Sequence, residues 1–336
     1  SKPMKKRAIL ADIARAANVS LMTASRAINQ KPGVSEDVRQ RILALAAEMG
    51  YRPNAIARSL ATRQTTTIGL VVPDITNPFF AQVARGVEDA AFENQYSVFL
   101  LNTNEDRQRE SAALDSLWQK DIDGIILCSS RLTEAELTAQ IQRFPALVLI
   151  NREVKNPPAN LVTINVDDRQ IARLAVEHFL ADGRRQIGCI GGPAASFSSR
   201  RRLAGYRRAL KEAGLPVDSS LVENALPNTE GGRQATAALL ARQPALDAIF
   251  AFNDLIAVGA MQACQETGRR VPEDIAIIGV DDIPLAEIIR PRLTTLHLNL
   301  AHMGRLGVHT LLQIIAGEPS QPAHRIEPHL MVRESA

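Results

Sequence analysis

The spacing of apolar residues changes at about residue 66. Before it, they recur at helical intervals. In ILADIARAA, Ile9, Ile13 and Ala17 stand at i, i+4 and i+8, which predicts an amphipathic helix of about two turns over 9–17. Asn18 follows, a residue that accepts the left-handed backbone of a tight turn. Ser20 is then placed to accept from the first free N–H groups of a second helix in LMTASRAIN. With Val19 turned inward, helix, four-residue turn and helix form a helix-turn-helix. A third helix is expected after Pro32–Gly33, with Ser35 as its cap and Glu36 and Asp37 favouring its dipole. Its stripe is Val38, Ile42, Leu45, Ala46 and Met49, and Gly50 ends it. A plain three-helix bundle has the same pattern.

From residue 66 the chain alternates short apolar runs with helix-length segments. Strands are expected at 67–72, 97–102, 124–128 and 146–150, then at 186–191, 221–226, 248–252 and 275–280, with a last one in RIEPHLMVR. Near-continuous apolar strands of this kind belong to parallel sheets covered on both faces. The series runs twice, so two doubly wound lobes are expected.

Charge is distributed unevenly over these two regions. Residues 1–64 carry twelve Lys and Arg against four Asp and Glu, a surplus of +8, and the rest carries −5 within a net +3. A basic head on an acidic body is the footprint of nucleic-acid binding, and exposed Thr23, Ser25 and Arg26 strengthen it over the plain bundle. YRPNAIARSLATRQ, next in the chain, is too short and polar to hold a helix alone. It is expected to fold on a partner, with Leu60 either tucked against the body or wedged into a minor groove.

The remaining composition excludes several classes. A hydrophobic content of 46% with 22% charge is that of a globular chain. No apolar run approaches the ~18 residues of a membrane span, and the basic N-terminus leads into no signal-peptide core. Cys128, Cys189 and Cys264 are odd in number and far apart, fitting neither a disulfide framework nor zinc. A cytoplasmic protein with reduced thiols is expected.

Ligands of doubly wound sheets bind beyond the carboxyl ends of the strands. The residues there are Asp74, Asn77, Phe79 and Phe80; Asn151 and Arg152; Ser196, Ser198 and Arg200; Asn253 and Asp254; Asp281 and Asp282. Amides, carboxylates, guanidinia and aromatics together suit a polyol, which needs flat apolar faces and bidentate partners for adjacent hydroxyls. Asp74, Asp254 and Asp282 serve equally well as caps, and Phe80 as core. No GxSxG, HExxH, GxxxxGK or GxGxxG occurs, and the six histidines, His297 and His302 among them, do not cluster. Neither catalysis nor a cofactor or metal is expected.

LADIARAANVSLMTASRAIN, PGVSEDVRQRILALAAEMGYRPNAIARSLATRQTTTIGLVVPDITNPFF, IGCIGGP, RRRLAGY, AIFAFND, VPEDIAIIGVDD and PRLTTL occur in one order. Together they resemble the lactose/galactose-repressor (LacI/GalR) family over essentially the whole chain. The resemblance implies an all-α helix-turn-helix DNA-binding head on an α/β, two-lobed, periplasmic-binding-protein-like body of two doubly wound parallel sheets. Residues 1–53 would form the head and 54–65 the hinge. Residues 66–165 with 298–325 would form the N-terminal lobe, and 166–297 with 326–336 the C-terminal lobe. Leu21 and Met22 would open the recognition helix, with Thr23, Ser25, Arg26 and Asn29 on bases or backbone. Asn54, Ala57, Arg58 and Leu60 would lie in the minor groove, Leu60 intercalating. Asn77, Phe79, Asn151, Arg152, Arg200, Asn253 and Asp281 fall on effector-contacting positions, with Phe80 and Ser196 beside them. Leu226 stands where relatives often stack an aromatic, and Leu298 where they often have Gln.

Two departures alter the expectation. Ile9 replaces a common Thr cap, which should fray the first helix. Apolar Leu21 and Met22 point to thymine methyls or base faces instead of bidentate hydrogen bonds. The resemblance thus implies a homodimeric regulator, a palindromic operator and a small effector. That effector is a sugar, a sugar acid or a substituted sugar ahead of a purine, acting as inducer or corepressor. Two alternatives stand beside it: control by a phosphorylated protein partner, and a sugar-binding transport protein, which the basic head and missing export signal disfavour.

Overall fold

A computed structural model describes residues 8–51 and 64–336, which fall into two compact units dividing at Thr65/Thr66. The first is all helical: α1 (Leu10–Ala16), α2 (Leu21–Ile28) and α3 (Glu36–Glu48). Asn18 has φ +52°, as the turn requires, and the Val19 N–H closes it on the Ala14 carbonyl at 3.0 Å. The core is Ile13, Ala17, Ala27, Ile42 and Ala46, with Val19 and Val38 packed against it. Two stripe residues depart from expectation. Ile9 is 60% exposed and Met49 is also exposed, because each lies beyond the last turn that faces this small core. Ser35 sits at the N-cap of α3 without a side-chain cap bond. At α1 the Asp12 carboxylate accepts the Ile9 N–H at 3.1 Å, which offsets part of the missing Thr cap. Arg39 donates to the Ala27 and Lys31 carbonyls and Arg41 to that of Ala17, so α3 supplies cations to the C-terminal ends of α1 and α2.

The second unit holds two six-stranded sheets. Lobe 1 contains β1 (Thr67–Val72), β2 (Ser97–Asn102), β3 (Gly124–Cys128), β4 (Leu147–Ile150), β5 (Leu161–Val166) and β11 (Ala323–Ile326), all parallel, in the order β11-β5-β4-β3-β1-β2. Lobe 2 contains β6 (Ile187–Gly191), β7 (Val222–Asn224), β8 (Ala248–Ala251), β9 (Ala276–Asp281), β10 (Thr294–His297) and β12 (His329–Met331), in the order β12-β10-β9-β8-β6-β7. Only β12 runs antiparallel. Both orders reverse next to the first strand, between β1 and β3 and between β6 and β8. A cleft forms at such a reversal.

Helices cover both faces of each sheet. In lobe 1, α4 (Pro78–Glu93) packs on α12 (Leu300–Ala316), while α5 (Arg107–Gln119) and α6 (Glu134–Ile141) cover the other side. In lobe 2, α7 (Asp168–Ala181) packs on α8 (Phe197–Glu212), and α9 (Thr229–Arg242) on α10 (Asp254–Glu266); α11 (Leu285–Ile288) is a single turn. Gly86 and Gly259 allow the tightest crossings. A Cβ on Gly86 would stand 2.0 Å from the Ala301 carbonyl oxygen, and one on Gly259 1.9 Å from that of Thr229.

The chain passes between lobes three times, after β5, after β10 and after β11. β5 and β10 were not anticipated as strands. β4 and β5 are joined by a loop with no helix, which breaks the alternation, and β10 (TTLH) has only one apolar residue, Leu296. RIEPHLMVR forms parts of two short strands, one in each sheet. β5 and β11 end at Val166 and Ile326, one residue past the expected lobe boundaries.

Candidate functional site

The head presents one face of α2. Ser20 Oγ accepts from the Thr23 N–H at 3.1 Å and is hydrogen-bonded to Thr23 Oγ1 at 2.9 Å, which fixes the first turn. Leu21 and Met22 project from that turn, 55% and 64% exposed. Large apolar side chains standing this far into solvent mark a contact surface. Arg26 and Asn29 are exposed on later turns, and Thr23 and Ser25 are half-buried. Asn29 folds back to donate to the Ser25 carbonyl at 2.8 Å. Asn54, Ala57, Arg58 and Leu60 lie outside the described residues.

In the body, strand ends of both lobes converge on one cleft. Its lining includes Asn77, Phe79, Phe80, Asn151, Ser196, Asn253 and Asp281 from the expected set. The walls leave about 30 Å³, room for two or three waters, so a larger molecule enters only if the lobes separate. Asn77, Ser196 and Asn253 are the N-caps of α4, α8 and α10, accepting from the N–H groups of Phe79, Ser199 and Ile256 at 3.0, 3.3 and 2.9 Å. Capping leaves the donor side of each amide group for other partners. Phe79 and Phe80 meet edge to face at 4.9 Å, so Phe80 is both core and wall. Asn151 has φ +54°, and its Oδ1 is buried without a partner.

Four of the expected positions lie elsewhere. Arg200 is exposed and bonds only its own loop's carbonyls; the cleft arginine is Arg202. Two residues along a helix is ~200° of rotation, so Arg200 and Arg202 occupy opposite faces. Leu226 is 63% exposed in a separate surface hollow, while its neighbour Pro227 reaches the cleft. Leu298 is core. Arg152 is buried beside the lining and not part of it.

The cleft also contains Ser198, which the strand ends had named, and five groups that they had not: Glu105, Ser129, Arg131, Arg202 and Phe252. Arg202 Nε donates to Asp168 Oδ1 at 2.9 Å, its Nη1 donates to the Phe252 carbonyl, and its guanidinium stacks 4.7 Å from the Phe252 ring. The buried stripe of α8 (Ser198, Ser199, Arg202, Gly205, Tyr206, Ala209) recurs at three and four residues and would have located it. Arg131 pairs with Glu105 at 2.5 and 3.1 Å. Glu110 lies behind, accepting from Ser130 and from the Arg131 N–H at 2.8 Å, and its carboxyl is pushed up by burial.

Lobe 2 buries three carboxylates, two of them, Asp168 and Asp281, near Arg202. Asp254 accepts from Thr295 Oγ1 at 2.5 Å and the Ile283 N–H at 2.9 Å, and burial raises its pKa to about 7. It is therefore no cap. Asp281, at φ +115°, is held well above the usual carboxylate range, chiefly by burial, with Asp254 and Asp168 adding to the effect and Arg202 opposing it. Burial raises Asp168 too, against the pull of Arg202. Asp74 closes its own turn on Thr76, and Asp282 pairs with His297 at 2.8 Å and Arg333 at 2.7 Å. His302 donates its backbone N–H to Asn299 at 3.3 Å. Among the described residues no His, Cys, Asp and Glu group suits a metal ion.

A helix-turn-helix head and a two-lobed body with a polar cleft define a DNA-binding regulator built on a periplasmic-binding-protein-like fold. Residues 9–54 match the bacterial regulatory proteins of the lacI family, and residues 65–333 the periplasmic binding proteins and sugar binding domain of LacI family. The chain belongs to the LacI family. It is 36% identical to the ribose operon repressor of Escherichia coli (strain K12) over 331 residues, covering 98% of this chain and 100% of that one. The Lac repressor dimer bound to operator and the anti-inducer ONPF superposes with a TM-score of 0.89 at 28% identity, covering 98% and 99% of the chains. The transcriptional regulator CelR–cellobiose complex gives 0.74 at 32% identity, covering 98% and 100%.

Proposed function

We propose that this protein is a cytoplasmic repressor which binds a palindromic operator as a homodimer and is released from it, or loaded onto it, by a small polyhydroxylated effector. The observation that carries this is the cleft itself: capped amides, a buried acceptor on Asn151 and a buried carboxylate on Asp281, drawn from both lobes onto one point. A molecule bonded to both lobes favours one closure angle over another. Only such a difference in affinity between two states can move operator binding. The related CelR was solved with cellobiose, and the Lac repressor as a dimer bound to operator and the anti-inducer ONPF. The relatives are regulators of transcription, and we read this cleft as a binding site without catalysis. Among the described residues no helix is long and apolar enough to cross a membrane.

In this reading α2 enters the major groove, with Leu21 and Met22 against thymine methyls and Thr23, Ser25, Arg26 and Asn29 on backbone or bases. Asn54, Ala57, Arg58 and Leu60 take the minor groove, with Leu60 as the wedge. The test is selection of binding sites from random duplex DNA, followed by salt titration of the enriched sequence. A two-fold symmetric site is expected. A dimer making about ten phosphate contacts gives a log–log salt slope near −9. Enrichment of no sequence, or a flat titration, overturns the proposal.

A further inference from the structure

Among the described residues, the best-buried arginine without an ion pair lies at the seam between the lobes. Arg152 follows Asn151 in the turn after β4 and is only 8% exposed. It donates to the Leu132 carbonyl at 3.0 Å, yet its Nε is buried without a partner, and it forms no ion pair among the described residues. Its guanidinium lies 6.0 Å from the ring of Phe197, a lobe 2 residue between Ser196 and Ser198 of the cleft wall. Arg200, from the next turn of α8, contacts only the carbonyls of Ala194 and Ala195, both at 3.1 Å. Burial first, and then the nearby Arg200, disfavour the charge on Arg152, while Glu134 and Glu110 favour it without forming an ion pair. Other arginines around the cleft have carboxylates of their own: Arg131 with Glu105, Arg202 with Asp168, and Arg201 with Glu153.

Two guanidinia without an ion pair among the described residues, one from each lobe, therefore stand near enough at the seam to act on each other. Their repulsion grows as the seam closes, and an anion between them reverses its sign. A planar arginine fork matches a carboxylate or a phosphate, and a desolvated one discriminates strongly in favour of either. We propose that the effector is an anionic polyol, a sugar acid or a sugar phosphate, whose charged group sits between Arg152 and Arg200 while its hydroxyls meet Asn77, Asn151, Asn253 and Asp281. This rests on reading the cleft as the effector site, and it makes the anion the element that draws the lobes together.

The test is titration of the purified 336-residue chain with sets of ligands matched except in charge: glucose, gluconate and glucose 6-phosphate; galactose and galactonate; ribose and ribose 5-phosphate. Calorimetry gives affinity and operator binding gives the response. At least one charged member is expected to bind about 30-fold or more tighter than its neutral parent. Carboxylate and phosphate are separated by which arm responds. Arg152→Gln and Arg200→Gln should each weaken the charged ligand about tenfold or more and change the neutral parent less than about threefold. Arg200 is exposed, so its variant reports even if Arg152→Gln folds poorly. A neutral sugar that binds as tightly as its acid and phosphate overturns the anionic assignment and leaves the effector reading intact. A charged ligand indifferent to both substitutions overturns the seat. Silence from every set, with operator binding unmoved, overturns the effector reading as well.

Discussion

Lobe 1 and lobe 2 repeat one strand order, and each turns the ends of its first four strands toward the same cleft, but they load those ends differently. Lobe 2 buries three carboxylates, Asp168, Asp254 and Asp281, and the buried guanidinium of Arg202 acts on the first and the last. Lobe 1 answers with Arg131 and Arg152 against Glu105 and the buried Glu110. The shared topology places the loops, and the residues on them choose the sign. The lobes also differ in how each charge is screened. The Arg131–Glu105 pair keeps some access to water on the Glu105 side, whereas the Arg202–Asp168 pair is buried on both.

That difference is breakable by substitution, most strongly at the arginines. Arg202→Leu leaves Asp168 buried with only Arg201, 3.9 Å away, and should cost about 3–5 kcal/mol in chemical denaturation. Arg131→Leu leaves a Glu105 that water can reach, and should cost about 1–2 kcal/mol. Equal losses would mean that the two pairs are equally screened, and the contrast would fail.

The carboxylates provide a pH test. Asp254 has its pKa raised to about 7 from an ordinary 3.8, chiefly by burial. Between those values the folded chain holds a proton that the unfolded chain has released. The contribution of this group is therefore greatest below about pH 4 and is lost as pH rises to about 7. Asp254→Asn should flatten the stability profile over that window, removing a slope worth on the order of 3 kcal/mol. Parallel profiles for the two proteins would sink the assignment. In lobe 1 burial moves Glu110 the same way, but Arg131 and Arg152 pull against it, whereas Asp282 pushes Asp254 further up, so Glu110→Gln should flatten the profile less.

The smallest expected effect concerns what the lobes share. Gly86→Ala on α4 and Gly259→Ala on α10 each force a methyl onto a facing backbone carbonyl, and each should cost about 1–3 kcal/mol. Melting temperatures lowered by similar amounts would support one packing device used twice. A loss at one site alone would separate the lobes.

Much of this architecture was legible because apolar runs are the strongest local signal. β1, β2 and β3 fall on the residues that periodicity assigns. β5 escaped because no helix separates it from β4, and β10 because a pairing partner, not its own composition, makes it a strand. In the cleft, strand ends selected the right loops: Asn77, Asn151, Asn253 and Asp281 all converge. They could not choose between faces of a helix, hence Arg200 in place of Arg202. Nor could they find Glu105 and Arg131, whose relation across 26 residues exists only once β2 and β3 lie on either side of β1.

The three passages between lobes set a schedule for synthesis. The helical core of the head can form once the first 51 residues emerge, since among the described residues it draws on nothing later. Neither sheet of the body is complete until β11 and β12, residues 323–331, have been made. At ~5–20 residues per second the interval is roughly a quarter of a minute to a minute. Throughout it the sheets wait with an edge unpaired while the head is already folded. A nascent chain would thus carry a finished DNA-reading module well before it possesses the cleft that governs it.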